Sequence, residues 1–237
     1  MRFSPPLQRG RLLRRYKRFL ADVELAGGET VTASCPNTGS MLGLTDPGAS
    51  IWLSRSDSQT RKYPHTWEMV EADLGRGPTL VGINTGHPNR LIAEAIAAGE
   101  IEGLTGYASL RREVRYGESS RIDILLEDPS KAPCFVEIKN VHMMRVDGLA
   151  EFPDCATARG VKHLRELAQM VRAGHRAVMV YLIQRGDAYR FKLAPDLDPA
   201  YGAAFTEASA AGVEAMAFRC RMSKDEIALD ARVPFVA

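Results

Sequence analysis

Two short apolar runs in this chain carry ionisable residues where a buried strand is expected to have none. They are Arg121-Ile122-Asp123-Ile124-Leu125-Leu126 and Phe135-Val136-Glu137-Ile138-Lys139. Between them lies Glu127-Asp128-Pro129-Ser130-Lys131-Ala132-Pro133, which has the Pro, Asp and Ser content of a turn. The pattern predicts a hairpin. Strand residues two apart share a face. Asp123, Glu137 and Lys139 therefore fall together on one side, with Ile122, Ile124, Val136 and Ile138 on the other. A Glu-x-Lys on its own reads most simply as a surface ion pair of little worth. Opposed by an Asp between two apolar strands, it becomes a candidate site. Two carboxylates and water suit a hard cation such as Mg²⁺. A Lys beside them can stabilise developing negative charge or help deprotonate the water.

The chain has 237 residues, enough for one large or two modest domains. Its 45% hydrophobic and 25% charged residues are ordinary for a soluble protein, and no low-complexity segment or repeat stands out. A net charge of +2 means that bulk charge does not announce a nucleic-acid partner. The distribution says more. Arg2, Arg9, Arg11, Arg14, Arg15, Lys17 and Arg18 all precede the first acid, Asp22. A local basic stripe suits phosphate; a solvated basic terminus or a membrane-surface contact has the same composition. Cys35, Cys134, Cys155 and Cys220 are scattered with no Cys-x-x-Cys pair, which argues against a zinc site and a disulfide scaffold. Reduced thiols in a cytoplasmic protein are the simplest expectation. The N-terminus shows no apolar signal-peptide core. The longest apolar run, residues 177–183, is too short to span a bilayer.

Residues 1–80 read as β-rich. Phe19, Ala21, Val23 and Leu25 alternate with Leu20, Asp22 and Glu24, although Leu12, Leu13, Tyr16 and Phe19 also fit a helix. Gly27-Gly28 marks a hairpin turn before a strand at 30–34, and 51–54 and 63–70 are further strands. About five short strands in so few residues suggest a small barrel. A Gly/Pro break at 74–78 follows. From there the pattern predicts a helix opened by Pro88 and closed by Gly99, then strands at 112–116, 121–126 and 134–141. Thr157 caps a helix running to about Ala173, ahead of a fully buried strand at 176–183. A helix across 199–211 and a strand at 213–218 complete the series. The order from residue 88 is α-β-β-β-α-β-α-β, that of the restriction-endonuclease-like core, with the ionisable trio on its second and third strands. Asp, turn, Glu-x-Lys and helix is also the order used by metal-dependent nucleases. The expected class is α/β (α+β overall): an OB-like β-barrel over 1–80, then a restriction-endonuclease-like mixed-sheet domain over 81–237.

Longer motifs point to one family. They are Ser4-Pro5-Pro6-Leu7 with Tyr16-Lys17-Arg18-Phe19-Leu20-Ala21-Asp22, then Cys35-Pro36-Asn37-Thr38-Gly39-Ser40-Met41, then Arg61-Lys62-Tyr63-Pro64-His65-Thr66-Trp67-Glu68. Phe152-Pro153-Asp154 and Arg159-Gly160-Val161-Lys162-His163-Leu164 complete them, beside the Asp123 and Glu137 segments. Across nearly its whole length the chain resembles the bacterial sugar fermentation stimulation protein A family. The resemblance implies an OB-fold domain followed by a PD-(D/E)xK nuclease-like domain. It implies DNA binding with little sequence specificity, mainly through the phosphate backbone, and a regulatory link to sugar (maltose) metabolism. It places the nuclease pattern on Asp123, Glu137 and Lys139, with Mg²⁺ or Mn²⁺ held by Asp123 and Glu137. A further acid on the first helix points to Glu94, with Glu113 as runner-up; a solvated helix position explains Glu94 equally well. A C-terminal helix-turn-helix proposed for the family finds no match, because Ile227 and Leu229 alternate like a strand.

The candidate nucleic-acid contacts are Arg15, Lys17, Arg18, Arg61, Lys62, His65 and Lys162. Arg61 and Lys62 would neutralise phosphates, while Tyr63, His65 or Trp67 could stack on bases; for Trp67, barrel core is the stronger reading. Asn37, Thr38 and Gly39 form either a phosphate loop or a structural turn. Lys162 and His163 open the helix after Glu-x-Lys, where phosphate binding and plain solvent exposure are equally good readings. His142 points away from Lys139 and is not taken as a metal ligand. The sequence leaves three functions open: a DNA-binding protein, an active nuclease, or a non-catalytic interaction module on a nuclease scaffold. A homo-oligomer is compatible with each.

Overall fold

The computed structural model describes residues 1–117 and 120–236. Six strands form the first sheet: β1 (Gln8–Tyr16), β2 (Leu20–Leu25), β3 (Thr30–Ser34), β4 (Ser50–Arg55), β5 (His65–Ala72) and β6 (Thr79–Gly82). Their order is β3-β2-β1-β4-β5-β6. A parallel pairing of β3 with β5, Ala33↔His65 and Ser34↔Thr66, closes the first five into an OB-like barrel. Leu12, Val23, Ile51, Leu53 and Trp67 fill it. Residues 12–16 are strand, not helix, because Leu12 alone of the apolar quartet turns fully inward, opposite Val23. Phe19 lies in the following turn, 52% exposed. Trp67 is core, and its indole N–H donates to the Met69 carbonyl at 2.9 Å.

The second unit runs α1 (Pro88–Ala97), β7 (Ser109–Tyr116), β8 (Ser120–Asp128), β9 (Lys131–Val141), β10 (Met143–Val146), β11 (Leu149–Phe152), α2 (Ala158–Arg172), β12 (Arg176–Ile183), β13 (Arg190–Leu193), α3 (Pro199–Ala210), β14 (Glu214–Met222) and β15 (Ile227–Arg232). Its main sheet has the order β15-β14-β12-β9-β8-β7. β9, β12 and β14 are parallel; β7, β8 and β15 run antiparallel to their neighbours. Val178, Val180 and Leu182 of β12 pack under α1, while Met179, Tyr181 and Ile183 pack under α2 and α3. That two-sided burial explains why the strand reads as one apolar run. Pro88 starts α1, the Thr157 hydroxyl accepts the Gly160 N–H at 3.1 Å at the head of α2, and Asp198 accepts the Tyr201 N–H at 3.0 Å at the head of α3. The small sheet β10-β11-β13 was not expected, since its strands have four residues each and no alternation to read. Where a helix-turn-helix would lie, β14 pairs antiparallel with β15. No helix among the described residues is long and apolar enough to cross a membrane.

The two units are joined by polar seams. Gly82 donates to the Gln184 carbonyl at 2.7 Å, and the Asp154 carboxylate accepts the Met41 N–H at 2.9 Å. The main core should be rigid at its centre. Leu182→Ala is expected to lower stability by about 2–5 kcal/mol in urea unfolding followed by circular dichroism. A loss below about 1 kcal/mol would mean that the α1 face repacks freely.

Candidate functional site

The β8–β9 hairpin forms as the turn residues require, with Asp128↔Lys131, Leu126↔Cys134 and Ile124↔Val136 as rungs. The ladder then stops. Asp123 Oδ2 accepts the Ile138 N–H at 2.7 Å, so a carboxylate stands in for the next main-chain partner. This break twists β8. Ile122 packs with α2 and α3, whereas Ile124 packs with α1. The expectation that both isoleucines share one face is therefore corrected: strict alternation fails where a side chain replaces the ladder. Asp123 Oδ1 accepts Asn89 Nδ2 at 2.7 Å, at the start of α1. Burial, and next the charge of Glu137, push the Asp123 carboxyl up to about 6 against the pull of Ile138 N–H, Lys139 and Asn89.

Glu137 is 2% exposed on β9. Its Oε1 accepts from Lys139 Nζ at 2.8 Å and from the ring of His163. Arg159 Nε donates to His163 Nε2 at 3.3 Å. The Glu137 carboxylate can only accept, so the proton between it and His163 sits on Nδ1, although Lys139 Nζ also lies 3.2 Å from that nitrogen. Burial would raise the Glu137 carboxyl; Lys139 and His163 overcome it and hold the group below the usual carboxylate range. Glu137 Oε2 is buried with no hydrogen-bond partner among the described residues. A buried carboxylate oxygen left in this state is an acceptor awaiting a cation or a donor. Among the described residues no three acid, His or Cys side chains converge into a closed cage. Two oxygen-donor carboxylates, one with an unused oxygen, suit a hard cation such as Mg²⁺ that completes its shell with water.

Glu94 is not brought to this cluster. It lies five residues past Asn89, about 140° around the helix. It pairs with Arg90 at 2.6 Å and the amino terminus at 3.8 Å, with its side chain 46% exposed. Glu113 is much nearer. It lies on β7 at the position facing Asp123, between the rungs Arg112↔Ile124 and Val114↔Ile122. Asn89 Nδ2 lies 3.3 Å from its carboxylate. Its φ of 55° is left-handed, a conformation that L residues within strands rarely hold. Glu113 also lines a groove of about 370 Å³ with Ser120, Arg121, Arg159, Lys162 and His163. Lys162 pairs with Glu166 at 3.6 Å.

The barrel cations divide sharply. Arg9, Arg11 and Arg14 pair with Glu71, Glu24 and Asp22, and Arg2 with Glu226, so four of the seven stripe cations face an acid. Arg15 is a clamp rather than a phosphate contact: its guanidinium donates to the carbonyls of Arg18, Asn37, Gly39 and Ser40. It holds the Asn37-Thr38-Gly39 loop as a structural turn, in which Asn37 Oδ1 accepts the Gly39 N–H at 2.9 Å. Lys17 and Arg18 are exposed at the β1–β2 turn. Arg61 and Lys62 are exposed too, with Arg61 donating to Thr66 at 2.7 Å and Lys62 lying over the Tyr63 ring at 5.4 Å. His65 is buried, 8% exposed, which removes it from base stacking; burial and next Arg55 lower its basicity. His163 is not solvent-exposed, as one reading of its position had it, but buried against Glu137. The stripe Gly160, His163, Leu164 and Leu167 carried that signal, because its 3–4 spacing puts His163 on the inner face of α2. Asn89 had no comparable signal.

A closed OB-like barrel followed by a mixed sheet whose hairpin joins Asp to Glu-x-Lys defines a barrel-plus-restriction-endonuclease-like class. The family model described as SfsA N-terminal OB domain matches residues 13–83. The one described as sugar fermentation stimulation protein RE domain matches residues 86–226. The chain belongs to the sugar fermentation stimulation protein family. A relative from Azorhizobium caulinodans, described as a sugar fermentation stimulation protein homolog, is 60% identical over 236 residues, covering 100% of both chains. One of the same description from Rhizobium meliloti is 60% identical over 227 residues, covering 96% of this chain and 93% of its own. The solved structure of Pyrococcus furiosus SfsA in complex with Ca²⁺ superposes with a TM-score of 0.89 at 29% identity, covering 100% of this chain and 98% of that one.

The raised Asp123 carboxyl has a consequence for metal-free protein. The folded chain binds this proton more tightly than the unfolded chain does, so the contribution of Asp123 to stability is full at low pH and is lost as pH rises from about 4 to about 6. A shift of this size is worth about 3 kcal/mol across that window. Asp123→Asn should remove that component of the slope in denaturant unfolding with EDTA present. An unchanged slope would show that Asp123 is not the group responsible.

Proposed function

We propose that the chain binds nucleic acid, DNA foremost, and hydrolyses phosphodiesters with Mg²⁺ or Mn²⁺ at the Asp123–Glu137–Lys139 site. The observation that carries this reading is the buried, partnerless Glu137 Oε2 beside an Asp123 carboxyl whose charge is opposed by Glu137. A divalent cation held by these two acids would relieve both conditions. When bound, it would activate a water and offset charge on the phosphoryl oxygens. Lys139 is placed to orient that water or to stabilise the charge that develops. His163 fixes the Glu137 carboxylate so that Oε2 faces away from the Lys139 and His163 bonds. Arg121, Arg159 and Lys162 line the adjoining groove and suit the phosphates on either side. Lys17, Arg18, Arg61 and Lys62 are exposed on the barrel and suit further phosphates. Contacts of this kind read backbone rather than bases, in keeping with little sequence specificity. The Ca²⁺ in the Pyrococcus furiosus relative supports a hard-cation site of oxygen donors, to which Mg²⁺ also belongs.

A second reading is a DNA-binding regulator, linked through the family name to sugar metabolism, that does not cleave. The ion pair of Lys139 with Glu137 at 2.8 Å favours it, since a lysine can neutralise the site in place of a metal. Cleavage of labelled single- and double-stranded DNA and RNA with Mg²⁺ or Mn²⁺ separates the two. Glu137→Ala is expected to lower the rate by about 10² or more, and Glu94→Gln to leave it unchanged. Salt-sensitive DNA binding with no cleavage under any metal would leave the second reading. Absence of salt-sensitive binding as well would leave only an interaction module. Calorimetry should show Mg²⁺ or Mn²⁺ binding that is lost in Glu137→Ala and tightened by DNA.

A further inference from the structure

The outer arm of the main sheet carries arginines that no acid meets. β7 is the edge strand, and with β8 it forms a hairpin beside the proposed hydrolytic site. Arg111 of β7 pairs with Glu127 at 2.8 Å. Arg112 and Arg115 of β7 and Arg121 of β8 are exposed and form no ion pair or hydrogen bond among the described residues.

The backbone gathers these arginines on one face. Regular alternation would keep Leu110, Arg112, Val114 and Tyr116 together and put Arg115 behind them. Instead Leu110 packs with the α1 cluster, whereas Val114 and Tyr116 pack with the cluster under α2 and α3. Glu113, left-handed at φ 55°, lies between them and turns β7 over. β8 turns over at the same level, since Ile124 packs with α1 and Ile122 with α2 and α3. Arg112 therefore shares the α1 side with Leu110. Arg115 and Arg121 reach that side too, because Val114 and Ile122, their neighbours in sequence, are held on the other.

Two observations set this group apart from ordinary surface charge. Arg115 and Arg121 are direct partners in the ladder. Like charges opposite one another on paired strands are destabilising. An edge strand needs charge to refuse other chains, but acids mixed among the arginines would serve without that cost. The acids next along these strands are also withheld. Glu113 and Asp123 are turned to the Asn89 amide, at 3.3 and 2.7 Å, rather than to the arginines.

Resting on the nucleic-acid reading above, we propose that this face of the β7–β8 hairpin is a clamp for the phosphate backbone, holding the nucleic acid at the edge of the hydrolytic site. Arg112, Arg115 and Arg121 each donate to phosphate oxygens. Arg121 also lines the groove with Arg159 and Lys162, so the bound backbone runs from the hairpin into that groove.

Fluorescence anisotropy of a labelled DNA duplex and of its single strand, titrated with the full chain in EDTA between about 50 and 200 mM salt, tests this. Joint replacement of Arg112→Ala and Arg115→Ala should weaken binding of the preferred probe about tenfold or more, and lower the slope of log K against log salt by about two. Arg172→Ala, an equally exposed and unpaired arginine at the far end of α2, should change neither. Arg115→Glu should weaken binding at least as much, yet leave the midpoint of urea unfolding as high or higher, because it sets an acid opposite Arg121. An arginine with a purely structural role would lose stability there. A double variant with unchanged affinity and slope overturns the clamp alone, as does an equal loss in Arg172→Ala or a destabilised Arg115→Glu. Wild-type protein without salt-sensitive binding to either probe overturns the nucleic-acid reading and the clamp with it.

Discussion

Burying the charge of Glu137 is the constraint on which the rest of this molecule turns. The residue is 2% exposed on a strand that parallels β12 over eight rungs, from Arg176↔Cys134 to Ile183↔Val141. A carboxylate there is tolerated only if donors meet it. Lys139 supplies one from the same strand and His163 another from α2. That demand fixes the phase of α2 on the sheet. Arg159 then donates to the other ring nitrogen of His163, and Thr157 sets where the helix begins. Apolar residues in place of the whole Glu137–Lys139–His163 cluster would hold the sheet as well, whereas losing Glu137 alone would strand its two partners.

The join between barrel and second domain follows the same logic. It combines hydrogen bonds to groups that would otherwise be buried and unsatisfied with an apolar cluster in which Leu7, Trp52 and Met69 meet Met222 of β14. Asp154 ties down the Ser40–Met41 backbone, and Gln184 meets Gly82 and Asn84. Glu68, buried in the barrel, accepts from Ser54 and Asn84 and contacts His87 at 2.7 Å, just ahead of α1. The barrel is thereby oriented on the element that delivers Asn89 to Asp123.

The order of helices and strands was legible because each element carries its own signal. Pro88 and Thr157 mark helix starts, and the unbroken apolar run of β12 marks a strand covered on both faces. The meeting of Asp123, Glu137 and Lys139 was legible from a turn and a two-residue period. What was hidden depends on side chains reaching between elements. Asn89 and His163 matter through partners 34 and 26 residues away. Glu94 was misplaced because one acid on a helix resembles another until its phase against the sheet is known. The basic stripe read as a phosphate surface because Glu24, Glu71 and Asp22, which neutralise three of its arginines, lie on other strands or farther along the chain.

Glu113 has a consequence for how far this fold can be hardened. It holds a left-handed backbone, φ 55°, opposite Asp123 in a ladder that otherwise runs regularly. Glycine would adopt that conformation without strain and relax β7. It would also delete the carboxylate that stands over the groove. Backbone ease and the groove's acidic edge are therefore exchanged at a single position of β7.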